Sequence, residues 1–560
     1  MAVRNPLIPF LVAVGIVGPF AFAPVSETDV GWHLAVGRWV VQHGSLTRNA
    51  LSWTYPDFPC RSTSWLFDPL LFLTYARSGV WGIQALTFAF VAATLAALAL
   101  ACVKANPHGG AWAVPVTAAL LLPRQSPRAF LCSWLLLALC TALGVSARRS
   151  LSYWTRAACV PLIALFSNFH SGALFGAVAL GVYCAEAAYR SGRWRREFLT
   201  AAAGALALLC NPGGLHNLLY AAHHLWLYDS MRLSELQSPT LLSLPAFYAL
   251  AAVCLGLAWL RRKDAPGDVL LCLGFALGGM WTARVAFDFD IVAAPVLAAG
   301  VPVVLEKYGK RAQSLLITLL AVLCIAPNVH RAQQLHPAAR WDEKALPVRA
   351  TRFIQEHQLA GPLFNSFDEG GYLAFALPEL PVFQDGRTQA YPPEFFMALT
   401  RAGRTPEGFD AYLRNQGVTW ALTQTQDRPG SGSRLLEVPG WALVYWDEQN
   451  EVLLRRDVPL FKPLIAANEY LYFHPLKTDP TRVPENVAAL ARPALEQYLL
   501  EVKRFEASTP DDPYAALAHC ALGTRLRLST APGQCTHALR LHPDMFFRKL
   551  VQRAQSLSGA

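Results

Sequence analysis

The chain has 560 residues, 54% of them hydrophobic, a net charge of +10 and a mean hydropathy of +0.29. A basic balance of that size is one mark of nucleic-acid binding. Here, however, the basic residues cluster between apolar blocks, the pattern of loops on the cytoplasmic side of a membrane protein, and this excludes nucleic acid as a partner. The apolar blocks run from Pro6 to Pro327, and after Asn328 the composition becomes that of a soluble domain.

At the N-terminus, Arg4, the apolar run Leu7 to Phe22 and Ala21-Phe22-Ala23 imitate a signal peptide. Pro24 directly follows the would-be cleavage site, so an uncleaved first helix is expected. A bilayer core about 30 Å thick needs roughly 20 apolar residues per helix. On that scale about eleven spans are predicted, near 6–24, 80–103, 111–123, 129–146, 157–168, 172–189, 198–211, 241–260, 269–284, 291–305 and 313–327. With the N-terminus inside, the cytoplasmic loops hold Lys104, then Arg148, Arg149 and Arg156, then Arg190, Arg193, Arg195 and Arg196. The next two hold Arg261, Arg262 and Lys263, then Lys307, Lys310 and Arg311. The opposite loops hold only Arg124, Arg128, Arg232 and Arg284, and this asymmetry sets the orientation. An odd number of spans places the C-terminal region outside a cytoplasmic (inner) membrane.

The other polar residues also gather on the outer side. They are Glu27, Asp29 and His33, then Arg124 and Arg128, Asn168 and His170, Asn211 and His216, Glu235, and finally Arg284, Asp288 and Asp290. Ionisable groups near a bilayer are costly and usually face a cavity or a partner, so they predict a polar site open to the outer side. The simpler account is that outer loops need polar residues.

Residues 25–79 form the first outer loop. Ser26 with Asp29 approximates a capping box and Gly44 suits a C-cap, which predicts an amphipathic helix between them. Trp32, Val36, Trp39 and Val40 make an apolar stripe for the membrane surface, and Asp29 and His33 share another face. Trp53 and the Ser64-Trp65-Leu66 turn are expected to anchor the return to the membrane.

These motifs resemble a known family. Glu27-Thr28-Asp29 matches the E-x-D variant of the acidic motif in the first outer loop of GT-C membrane glycosyltransferases. Trp32-His33-Leu34, Gly37-Arg38, Gly44, Ser52-Trp53-Thr54 and Gly79-Val80-Trp81-Gly82 are similar to a bacterial branch of that superfamily. So are Asn168-Phe169-His170-Ser171-Gly172, Asn211-Pro212 and the Glu235 region. The resemblance implies an inverting transfer of a sugar from a polyprenyl-phosphate donor to a lipid, glycan or protein acceptor at the outer face. An acceptor hydroxyl needs a carboxylate to take its proton, and the departing phosphate needs cationic donors. Asp29 is therefore the expected base, and Glu27 assists it or, with Asp29, binds a divalent metal. His33 orients Asp29 or the acceptor, Arg128 and Arg284 contact phosphate, and His170 and Glu235 line the cavity. A helix dipole or capping box would account for Asp29 without catalysis.

The expected organisation is a transmembrane GT-C-like module over 1–335, an extracytoplasmic α/β domain over 340–457 and a helical, weakly tetratricopeptide-like tail over 458–560. In the α/β domain, strands are predicted at 361–365, 381–387 and 418–423, with a hairpin over 441–456. Asp385-Gly386-Arg387 reads as a turn. Nine of the twelve cysteines lie in or beside spans, whereas Cys520 and Cys535 flank a helix break in the tail, in a compartment where a disulfide can form. A transporter or a noncatalytic envelope-assembly protein with an outer docking domain are the alternative functions.

Overall fold

In the computed structural model, which describes residues 6–107, 109–148, 152–219, 237–306, 309–425, 433–474 and 482–559, every apolar block expected to span a membrane carries a helix. The first unit comprises Met1–Thr47 and Cys60–Trp341. Its helices, among the described residues, are α1 (Leu7–Ala21), α2 (Asp29–His43), α3 (Phe67–Ser78), α4 (Val80–Ala105), α5 (Ala113–Leu121), α6 (Phe130–Ser146) and α7 (Tyr153–Phe166). They continue with α8 (Ala173–Ser191), α9 (Trp194–Ala207), α10 (Pro245–Leu260), α11 (Pro266–Trp281), α12 (Ala283–Leu305) and α13 (Lys310–Gln334). Only α4 and α12 are long and apolar enough to cross a bilayer unaided, while α1, α6, α10, α11 and most of α7 are shorter apolar helices. By length and composition alone, two helices among the described residues are candidate spans, where the sequence predicts about eleven. The helices are cut short for local reasons. The third block divides into α5 and two flanking 3-10 turns, and Ser152 and Thr282 cap the starts of α7 and α12 through their side chains.

The core is helix on helix. Helix α4 packs on α6, α6 on α8 and α8 on α9, while α12 packs against α4, α5, α10 and α11. At one end of these helices Arg148 of the α6–α7 connection meets Asp268 of α11 at 2.6 Å and Glu186 of α8 at 3.3 Å. Arg190 and Arg261 complete the cluster on the same two carboxylates. Buried acids thus neutralise part of the basic loop charge and tie three helix ends together, which satisfies charges that would otherwise be costly.

Helix α2 differs from its expected form. It begins at Asp29 after Thr28, with no side-chain cap, so Ser26 builds no capping box. Its buried residues are Val30, Gly31, His33, Leu34, Ala35, Val36 and Gly37, so of the predicted stripe only Val36 is buried, and the helix packs on α3. A Cβ on Gly37 would stand 2.1 Å from the carbonyl oxygen of Asp68, so only glycine lets α3 approach this closely.

The second unit joins Arg48–Pro59 to Asp342–Ala560. Its sheet runs in the order β1 (Leu363–Asn365), β2 (Trp420–Gln424), β4 (Asn450–Arg455), β3 (Trp441–Trp446), with β1 and β2 parallel and the other pairs antiparallel. The hairpin and the third strand match the predicted pattern, and two helices, Pro393–Ala402 and Pro406–Asn415, precede that strand. Residues 381–387 form no strand. Val382 makes one bridge to Ser52, and the chain then turns around a buried pair in which Arg387 donates to both oxygens of Asp385, at 2.9 and 2.7 Å. Arg387 also donates to Asn49, and Trp53 donates to the Leu363 carbonyl, so this stretch of the first loop is held by the second unit's fold instead of anchoring a return to the membrane. In the tail a disulfide joins Cys520 on Pro513–Arg525 to Cys535 on Ala531–Leu541.

Candidate active site

Interhelical connections and helix starts bring charge together in the first unit. Asp29, at the first turn of α2, lies 2.6 Å from Arg128, which precedes α6. Its other oxygen accepts from the indole N–H of Trp32 at 2.9 Å. Glu27 approaches the same guanidinium at 4.0 Å. The carboxylate that a capping reading would spend on its own helix is thus turned outward to a neighbouring element.

His170, in the turn between α7 and α8, is the second focus. Its Nε2 stands 2.9 Å from Arg284 at the start of α12 and its Nδ1 stands 2.7 Å from the Ser133 hydroxyl on α6. Arginine can only donate, so Nε2 accepts, while Nδ1 also receives the backbone N–H of Gly172 at 3.0 Å. Burial, and then the charges of Arg284, Arg128, His33 and Arg124, push the imidazole well below its ordinary value and keep it neutral. Arg128 lies over the ring of Phe130, which lines the cavity beside His170, and this brings the two foci into one region. A small cavity beside His170 is lined by Arg124, Ser133, Trp134, Arg284 and Asp288. Gly172 makes the arrangement fit, because a Cβ there would lie 2.5 Å from the Ser133 hydroxyl.

His33, four residues after Asp29, is buried and its Nδ1 lies 2.6 Å from Asp68 at the start of α3. Asp68 is sealed from solvent and also accepts from Ser62 at 2.7 Å and Ser64 at 2.9 Å. The imidazole stacks on Trp32 and meets the edge of Phe67.

Of the residues singled out in the sequence, Glu27, Asp29, His33, Arg128, His170 and Arg284 therefore meet in one region, and Glu235 lies outside the described residues. Asp68, Ser133 and Trp32 are the partners that sequence reasoning passed over. An acid in the first turn of a helix reads as a response to the helix dipole, and nothing local links Asp68 to a histidine 35 positions away. A divalent metal fits poorly here, since among the described residues no three histidine, cysteine or acidic side chains converge. Glu27 and Asp29 supply two carboxylates with Arg128 already set against them.

No protein-family model matches the chain, and no curated protein is similar to it in sequence. Solved structures are similar in fold. The archaeal oligosaccharyltransferase AglB from Archaeoglobus fulgidus, in complex with an inhibitory peptide and a dolichol-phosphate, aligns with a TM-score of 0.51 at 10% identity, over 81% of this chain and 75% of that one. The Archaeoglobus fulgidus oligosaccharyltransferase in complex with zinc and sulfate aligns at 0.50 and 11%, over 80% and 73%. At this identity the likeness shows a shared fold, that of these oligosaccharyltransferase structures.

Proposed function

We propose that this protein is an inverting glycosyltransferase that moves a sugar from a polyprenyl-phosphate donor to an acceptor at the outer face of the cytoplasmic membrane. The observation that carries the reading is the convergence of Asp29, Arg128, His170 and Arg284 in one region of a fold shared with these oligosaccharyltransferase structures. In the reaction the acceptor oxygen bonds to the anomeric carbon while the bond from that carbon to the phosphate oxygen breaks. The electron pair leaves on the phosphate, so fixed positive charge is needed there. Arg124 and Arg284 around the neutral His170 supply it, and a neutral imidazole fixes Arg284 without competing for the anion. The acceptor's proton needs a base, and two groups on α2 are chemically competent, Asp29 and His33.

The segregation of charge supports the sidedness. The site residues come from connections predicted to lie outside, whereas the Arg148–Glu186–Asp268 cluster comes from connections predicted to lie inside. The Cys520–Cys535 disulfide suits a tail in an oxidising compartment. The dolichol-phosphate and peptide bound to AglB illustrate the classes of donor and acceptor that this fold accommodates.

The test is turnover by the full chain in lipid nanodiscs, using a panel of radiolabelled polyprenyl-phosphate sugars and scoring release to water or to added acceptors. Arg284→Gln should lower the rate roughly 10²–10³-fold, the cost of losing one donor to a developing anion. Absence of turnover across the panel would remove the proposal.

A further inference from the structure

We infer that His33 Nε2 is the proton acceptor of this site and that Asp68 is the positioning residue that aims it, an assignment that rests on the transferase reading above. The argument begins with what each candidate base is already doing. Both oxygens of Asp29 are engaged, one by the indole N–H of Trp32 and the other by the Arg128 guanidinium at 2.6 Å. To take a proton, Asp29 would have to surrender a charge-assisted bond, which is among the stronger polar interactions a protein makes.

His33 is arranged the other way. Its Nδ1 is held by a carboxylate sealed from solvent, and that carboxylate is itself fixed by two serine hydroxyls. A carboxylate so placed keeps the ring proton on Nδ1 and leaves the lone pair on Nε2, the orientation that an acidic partner gives a histidine base. Among the described residues, Nε2 has no hydrogen-bond partner. The stack on Trp32, with ring centroids 3.6 Å apart, and the edge of Phe67 prevent the ring from turning. The ring stacks on Trp32, whose indole donates to Asp29, so His33 lies beside the Asp29–Arg128 pair.

The step balances. The acceptor hydroxyl gives its proton to Nε2 as its oxygen bonds to the anomeric carbon, and the carbon–oxygen bond to phosphate breaks with its electron pair on the phosphate. The imidazolium so formed is stabilised by Asp68, and the proton returns to water after product release.

A purely structural tie between α2 and α3 would need only the Nδ1–Asp68 bond, and this separates the two roles. His33→Asn places an amide N–H near the position of Nδ1, so it preserves the tie and removes Nε2. The probe donor is undecaprenyl-phosphate-linked glucose, with the full chain in nanodiscs and release of glucose as the readout. His33→Asn should lose roughly 10²–10⁴-fold in kcat/KM while thermal stability and donor binding hold. An imidazole base carries its activity limb in a higher pH range than a carboxylate base does. That limb should be present in the wild-type chain, absent in His33→Asn, displaced in Asp68→Asn and retained in Asp29→Asn.

The groups around His33 are Asp68, Asp29 and, beside Asp29, Arg128, while Arg124 and Arg284 lie at His170. His170 is held neutral, well below its ordinary value, so it adds no limb of its own. A readout free of turnover is the ¹⁵N spectrum of histidine-labelled protein, in which wild-type His33 should show an unprotonated Nε2 and Asp68→Asn should not. A near-normal rate with an intact limb in His33→Asn, or a protonated Nε2 in the wild-type spectrum, would overturn the assignment while leaving the transferase reading standing. A wild-type chain inert toward the whole donor panel overturns both.

Discussion

At the scale of single residues, the site is built from pairs whose members lie far apart in sequence, and each pair predicts coupling. Asp29 and Arg128 are largely buried and 2.6 Å apart, so each variant alone leaves a charge without its partner. Transfer rates for Asp29→Asn, Arg128→Gln and the double variant should be non-additive, with a coupling of about 0.5–3 kcal/mol, as for residues in direct contact. Strictly additive losses would mean that the two side chains act separately. The second unit offers a residue-scale prediction about stability. Burial, with help from Asp368, pushes the Glu369 carboxyl from 4.5 up to about 7, and burial pushes Glu451 up to about 8. Between the unfolded and folded values the native state holds protons that the unfolded chain has released. The stability of this sheet therefore falls as pH rises from about 5 to 8. Pulse proteolysis of the β2–β4 region should show more cleavage at pH 8 than at pH 5.5, and Glu369→Gln with Glu451→Gln should flatten that difference. Equal protection in the wild-type chain at both pH values would refute the assignment of buried, protonated acids.

At the scale of elements, Gly37 decides whether α2 and α3 present His33 and Asp68 to one another. A methyl group 2.1 Å from the Asp68 carbonyl must push α3 away, and overpacking of this kind costs about 1–3 kcal/mol. Gly37→Ala should therefore displace the Asp68–His33 bond and impair transfer, although neither chemical group is altered. Normal transfer by Gly37→Ala would show that the close approach has no bearing on the chemistry. The helix was legible in sequence because its apolar residues and Gly44 mark its extent. Its buried face was not, because a tryptophan stripe and a glycine-containing stripe are both apolar and only the neighbour chooses between them. The hairpin at 441–455 was legible from two β-favouring apolar runs on either side of a polar turn. The segment 381–387 reads as a strand because Val382-Phe383 is a β-favouring apolar pair ahead of an Asp-Gly turn, yet Asn365 takes the backbone N–H of Phe383 and the carbonyl of Gln384 with its side chain. A side-chain bridge that replaces a ladder leaves no periodic signature.

At the scale of the whole molecule, two distributions of charge that the sequence displays as one pattern become two different structures. Residues predicted to lie outside converge on His170, and residues predicted to lie inside form an ion cluster of Arg148, Glu186, Arg190, Asp268 and Arg261. The positive-inside rule reads the arginines of that cluster as loop charge facing anionic lipid, but half of its logic is satisfied internally by two buried acids. What survives as a topological signal is the remaining basic excess, such as Arg195 and Arg262, and this gives the last prediction. Reporter fusions or single cysteines for an impermeant maleimide at Arg195 and Arg262 should report the cytoplasmic side, and those at Gly361 and Ser558 the opposite side. The disulfide supplies an independent check, because it closes a loop with a sequence separation of 15 residues. Closing a loop of that size stabilises a fold by about 3 kcal/mol in the chain-entropy account. In an extracytoplasmic tail Cys520 and Cys535 should resist alkylation until a reductant is added, and Cys520→Ser with Cys535→Ser should make the tail more sensitive to protease. Free thiols together with a cytoplasmic signal at Gly361 would invert the topology and put the site on the wrong face for an outer-leaflet donor. Free thiols with an extracytoplasmic signal would cost only the bridge, so the two measurements separate the orientation of the chain from the chemistry of its tail.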